Sequence, residues 1–318
     1  MSIGIGFGVA GFPFASMDAF GRWIDLLEDE GADSVWFSER LVSRQPTLEP
    51  LAAIGFVFGR TKRLKAGMNA VVVPLRDPLV LAKECATLDA LSGGRLLPAF
   101  GVGDERAPEW QATGRDPNGR GGLADEALEI MARLWTGETV TFEGKHFRYR
   151  EAVIAPIPVQ QPLPLWIGGN SPAAIRRTAR LGTGWLAGLQ SPEEVAPVVR
   201  AIKAALAETG RTIDEDHYGA GFSYRFGSAD EPAVQQAAAM LARLRPGSDP
   251  MRLVAAGDAE AIAGRIREFI DAGISKFVVR PIATDEADLL EQTRRMLRGV
   301  VPLFSSRRAP VPAEAGPA

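Results

Sequence analysis

The chain has 318 residues, with 36 Lys plus Arg against 39 Asp plus Glu and a formal net charge of −3, so it has no overall basic field for holding nucleic acid. Its one cysteine, Cys85, excludes an internal disulfide framework and a cysteine-rich metal site, and no apolar run reaches the ~20 residues of a membrane span. With an N-terminus that lacks a basic n-region, these features predict a soluble cytoplasmic protein acting on a small molecule, with no nucleic-acid, membrane or metal partner.

Short β-like runs alternate with amphipathic segments, the arrangement of parallel strands joined by crossover helices in an α/β protein. The first candidate strand, 3–8, leads into "GFGVAG", whose Gly6, Gly8 and Gly11 match G-x-G-x-x-G. In a dinucleotide site that motif opens directly into a helix, whereas here Phe12-Pro13-Phe14 intervenes. The glycines read better as clearance for something bound at the strand's end. A helix follows, capped by Ser16, with Met17, Phe20, Trp23 and Leu27 at helical spacing and Gly31 just past its end.

The second strand, 34–38, ends "SVWFSER", which places Glu39 and Arg40 at its rim; the ordinary alternative for these charges is a salt bridge. The third, 64–73, ends "GMNAVVVPLRDP", and the helix after it carries Cys85 on a buried face with Leu81 and Leu88. The fourth, 96–103, runs into a Gly/Pro-rich loop over 104–122. Ala124, Leu128, Met131 and Trp135 then mark a helix before Gly137, and "FEGKHF" predicts a hairpin turning at Gly144, an excursion after the fourth strand.

The fifth strand, 163–168, ends on two glycines where a helix begins, in "WIGGNSPAAIRR". A helix start exposes unpaired N–H groups and the positive end of the macrodipole, so bare backbone there admits an anion such as a phosphate. The alternative is a strand-to-helix turn that binds nothing. Strands at 184–188, 218–226 and 276–281 complete a set of eight, and Ile262, Ile266 and Phe269 mark a helix before Gly273. The composition of 305–318 is that of a disordered tail, which leaves 1–304 as one domain.

His146 and His217 are the only histidines, one in the hairpin and one in the polar run "DEDHYG". Neither has the partners that a zinc site or a Ser-His-Asp hydrolase requires, and there is no Walker-type loop. The polar and glycine-rich strand ends remain, at the C-terminal face where α/β barrels place their chemistry.

The segment "NAVVVPLRDPLVLAKECATLDALSGGRLLPAFGVG" resembles the bacterial luciferase-like family of flavin and deazaflavin enzymes in its P-L-R-D-P turn, T-L-D helix, L-S-G-G-R corner and G-V-G strand end. "DEALEIMARLWTGETVTFEGKHFRY", "PLPLWIGGNSPAAIRRTARLGTGW" and "AGISKFVVRPI" extend the resemblance over about residues 3–300. It implies a (β/α)8 TIM barrel with an insertion after the fourth strand, usually a homodimer, with FMN or coenzyme F420 at its C-terminal mouth. It also implies a non-prolyl cis peptide in the third strand, at Asn69–Ala70 with Ala70–Val71 next, behind the ring of the cofactor. Gly168, Gly169, Asn170 and Ser171 then cradle the cofactor phosphate, with Gly184 and Trp185 nearby and Gly101 and Gly103 at the fourth strand end.

"SVWFSERLV" is similar to the F420-dependent branch, where an acid at this strand end is often followed by His; here Glu39 is followed by Arg40. A guanidinium stays protonated and cannot serve as a base, so the expectation is reduction of a small organic substrate by hydride from F420. Arg40 would stabilise negative charge, Glu39 would be the strand-end acid, and Glu105 would be the acid near the substrate, with Asp104 and Glu109 as its competitors. Arg176, Arg177 and Arg180 either meet the anionic tail of F420 or form a solvated helix face. An FMN-dependent monooxygenase and a non-catalytic cofactor-binding protein are the alternatives.

Overall fold

The computed structural model describes residues 2–9 and 11–304, so the expected tail at 305–318 lies outside the described residues. Along the chain run β1 (Gly4–Gly8), α1 (Met17–Asp29), β2 (Ser34–Phe37), α2 (Pro50–Arg60), β3 (Lys65–Met68), β4 (Val71–Val72) and α3 (Pro78–Ser92). There follow β5 (Leu96–Leu97), β6 (Ala99–Gly101), α4 (Pro108–Ala112), α5 (Arg120–Trp135), and the strands β7 (Val140–Glu143) and β8 (Arg148–Ala152). The rest is β9 (Trp166–Gly168), α6 (Pro172–Leu181), β10 (Gly184–Leu186), α7 (Pro192–Thr209), β11 (Tyr218–Phe226), α8 (Pro232–Leu244), β12 (Val254–Gly257), α9 (Ala259–Asp271), β13 (Lys276–Pro281) and α10 (Glu286–Gly299).

The large sheet is parallel and closes on itself, in the order β4-β6-β9-β10-β11-β13-β1-β2-β3-β5. β3 and β4 are two halves of one predicted strand, as are β5 and β6; β3 pairs β5 while β4 pairs β6, which completes an eight-segment barrel. The predicted third strand breaks at Asn69–Ala70, whose peptide bond is cis as the resemblance implied. The fourth breaks at Pro98, which has no N–H to give a neighbour. The fifth starts later than expected because Pro162 and Pro164 lack donors and the Leu165 N–H goes to Thr183 Oγ1 at 2.7 Å. β12, which was not expected, pairs only the far half of the long β11.

The predicted hairpin is present as the antiparallel pair β7–β8. Ser16 caps α1 through the Ala19 N–H at 3.1 Å, and Gly31 has the positive φ (76°) that follows such a helix end. The helical stripes pack on the sheet, with Phe20, Trp23, Leu27, Leu128, Met131, Ile262, Ile266 and Phe269 all buried, except that Met17, at the start of the α1 stripe, is exposed. Cys85 is buried on α3, and burial pushes its thiol pKa up, which makes it inert core.

Strand alternation divides the residues of the barrel wall. Phe7, Phe37, Phe222, Phe277 and Val279 face the helices. Trp36, Ala99, Trp166, Leu186 and Val278 pack together inside the barrel. Below that layer, toward the strand starts, Lys276 Nζ meets Asp33 at 2.6 Å and Lys65 lies 3.5 Å from the same carboxylate. This ionic cluster seals the N-terminal end.

Candidate active site

Above the tryptophan layer, the interior wall from β6 to the end of β10 is nearly bare of side chains. An added Cβ on Gly101 would meet only the Ala70 Cβ, at 3.8 Å; on Gly168 it would meet Phe100 O, the Ala70 Cβ and Leu186 O at 3.5–3.8 Å; on Gly188 it would meet nothing within 4 Å. With the cis bond turning the strand beside it, Ala70 sits among these glycines. Together they form a flat floor, open to the C-terminal mouth, on which a planar group has room to lie.

Next to the floor, Gly169 takes φ +108°, a conformation that other residues rarely adopt, and carries the chain into α6. Gly169, Asn170 and Ser171 are exposed. Ser171 is the N-cap, its Oγ accepting the Ala174 N–H at 3.2 Å, and Pro172 occupies the first turn. The phosphate-competent turn read from the sequence is thus an exposed helix start bordering the floor.

Other expected site residues fall elsewhere. Gly184 lies at the level of the tryptophans, where a Cβ would run into the Trp166 ring at 2.5 Å; it makes room for packing and does not face the floor. Trp185 is fully buried toward the helices, and its Nε1 donates to Gly169 O at 2.8 Å, so it holds the turn from behind. Val71 is likewise fully buried. At Gly103 an added Cβ would come within 2.9 Å of Val72 and 3.1 Å of Trp110, which seats α4 against the barrel. Asn69 is half-buried beside the floor, its N–H donating to Phe37 O at 2.8 Å.

Glu39 does not pair with Arg40. Its side chain is 2% exposed, forms an ion pair with Arg76, and accepts the Val72 N–H at 2.7 Å. Burial pushes its carboxyl above the ordinary value, against the pull of Arg76 and of that N–H. Arg76 also meets Glu49 at 2.8 Å. Glu39 is therefore a buried brace for the strand that follows the cis bond. The signal for Arg76 was present in P-L-R-D-P, but its partner lies 37 residues earlier.

Arg40 is exposed at the mouth with no ion pair among the described residues. Glu105 is also exposed, 3.5 Å from Arg120. Asp104 is exposed and accepts the Arg106 N–H at 2.9 Å, whereas Glu109 is buried in α4, with the Val42 N–H 3.4 Å from one of its oxygens. Arg177 is buried against Asp125 at 2.8 Å and Arg180 shares that carboxylate at 3.5 Å, so only Arg176 of the three is solvated and unpaired. His146 is exposed; His217 makes a 2.9 Å hydrogen bond to Thr183 O far from the mouth.

The sequence profile of the luciferase-like monooxygenase family matches residues 8–278. An uncharacterized protein of Mycobacterium tuberculosis is 35% identical over 162 residues, 51% of this chain, and the match spans about half, 54%, of that relative. The F420-dependent glucose-6-phosphate dehydrogenase of Kineococcus radiotolerans is 26% identical over 316 residues, covering 87% of this chain and 90% of its own length. Among solved structures, an F420-dependent secondary alcohol dehydrogenase in complex with an F420-acetone adduct superposes with a TM-score of 0.83 at 20% identity, over 96% of this chain and all of that one. With the closed parallel barrel, the hairpin after its fourth strand and a profile match over most of its length, the chain belongs to the luciferase-like monooxygenase family.

Proposed function

We propose that this chain is an F420-dependent oxidoreductase that reduces a small organic acceptor. The observation that carries this reading is the bare floor beside an exposed helix start, a pairing of flat and anion-accepting surfaces that suits a ring cofactor with a phosphate. The residues present fit that group: Ala70, Gly101, Gly168 and Gly188 would lie under its ring, with Gly169, Asn170 and Ser171 at its phosphate. When bound, it supplies the hydride. The similarity to the Kineococcus enzyme over nearly the whole chain favours F420 over FMN.

The chain's own groups orient and polarise the acceptor. Arg40 cannot take up a proton, so it serves a reduction, stabilising charge that develops on a carbonyl, enone or nitro oxygen. Glu105, held at the rim 3.5 Å from Arg120, orients the acceptor, and the proton that completes the reduction comes from solvent at the open mouth. Glu39 acts through the backbone that it braces. The chain works in the cytoplasm as a homodimer; exposed Val80, Val153, Ile157 and Val159, on α3 and the segment after the hairpin, support a paired surface. No helix among the described residues is long and apolar enough to cross a membrane.

A second reading, an FMN-dependent monooxygenase, is favoured by the buried Trp110. It clamps α4 onto the strand end and would help exclude water from a reactive oxygen adduct. Fluorescence titration with oxidised F420 and with FMN, followed by oxygen uptake with reduced FMN, tests the two. Saturable F420 binding with weak FMN binding is expected. Preferential FMN binding with substrate-dependent oxygen uptake overturns the proposal, and tight F420 binding without turnover of any acceptor reduces it to a cofactor-binding protein.

A further inference from the structure

Alternation along β13 places Phe277 and Val279 against the helices and turns Val278 into the barrel with Trp36, Trp166 and Leu186, so the next inward residue is Arg280. Its Cγ lies 3.7 Å from where a Cβ on Gly8 would be, and its Nη1 3.2 Å from where a Cβ on Gly221 would be. The side chain therefore crosses from β13 over β11, one layer above the tryptophans, through space that two glycines leave clear.

Arg280 makes no hydrogen bond, ion pair or ring contact among the described residues. Arginines of comparable shelter do otherwise: Arg76 meets Glu39 and Glu49, Arg177 meets Asp125, and Arg225 meets Asp288. Burial pulls the Arg280 pKa down, and no acid acts on it. Half-buried and answered by no counter-charge, this guanidinium keeps its donors available to a ligand in the mouth. Its planar fork of donors matches a carboxylate or another delocalised oxyanion.

We propose that Arg280 is the receptor for an oxyanion bound inside the barrel mouth, supplied either by a carboxylate on the substrate or by a negatively charged oxygen on the ring of the bound cofactor. The site is separate from Arg40, which stands in solvent at the rim. It needs only a ligand in the mouth, and deepens the proposed function if that ligand is the acceptor or F420.

The test is quenching of tryptophan fluorescence, reported from the layer beneath by Trp36 and Trp166, in the wild-type protein, Arg280→Gln and Arg280→Lys. The probes are acetate, benzoate and succinate at matched ionic strength and, separately, oxidised F420 and FMN. Loss of about tenfold in carboxylate affinity in Arg280→Gln, partly restored in Arg280→Lys, supports a substrate carboxylate. A similar loss confined to F420 or FMN supports a ring oxygen. Carboxylate binding by a wild-type protein that binds no F420 sinks the cofactor reading while leaving this one intact. Thermal melting adds a readout that a structural role would move oppositely: ligand-free Arg280→Gln is expected to melt at or above the wild-type temperature. Unchanged binding of every probe in Arg280→Gln, binding of none by the wild type, or a marked fall in melting temperature overturns the proposal.

Discussion

At the scale of single residues, the deciding feature is which charges are paired. Glu39 and Arg76 form a buried ion pair, and removing one partner strands the other away from water, which costs about 3–5 kcal/mol. Arg76→Gln should therefore lose about that much in urea unfolding. Glu39→Gln, which keeps an oxygen for the Val72 N–H and leaves Arg76 on Glu49, should lose only about 1–2 kcal/mol. The sequence placed Glu39 at a strand end but could not supply its partner, because the pairing spans a whole crossover and rim charges have several candidates. Arg280 was more accessible to such reasoning, since the alternation in "KFVVRP" already sends it inward. That nothing answers its charge is visible only when the facing strands are in place.

At the scale of elements, bare backbone at the strand ends creates the site. Gly188 follows β10 with open space where a side chain would be, so Gly188→Leu should leave the melting temperature within about 3 °C while weakening cofactor binding at least about tenfold. Calorimetric melting and the fluorescence titration check the two halves of that expectation. Most elements were legible in the sequence because their signals are local: the cap Ser16, the stripes on α1, α5 and α9, and the turn glycine of the hairpin. β12 was not legible, since Val254–Gly257 is three small apolar residues and a glycine whose only reason to be a strand is the overhanging half of β11. The role of Gly184 was missed for a related reason: a glycine that admits the Trp166 ring and one that admits a ligand read identically in one dimension.

At the scale of the whole molecule, the two ends of the barrel have opposite characters. The N-terminal end is closed by Asp33, Lys65 and Lys276, joining the starts of β2, β3 and β13. Burial pushes the Asp33 carboxyl up, but the two lysines outweigh it and hold the group at about 2, below its ordinary value of 3.8. A depressed folded value stabilises the protein above the unfolded value and ceases to do so as pH falls toward the folded one. Asp33→Asn should thus cost about 2 kcal/mol at pH 7, with its difference from the wild type closing between about pH 4 and pH 2 in acid-dependent thermal unfolding. The C-terminal end is open, and between the two lies the tryptophan layer that backs the floor. A planar cofactor resting there has one side pressed against protein and one side free. Under the proposed hydride chemistry, the cofactor would give up hydrogen from its free side only, which would fix a single stereochemical course before any substrate entered.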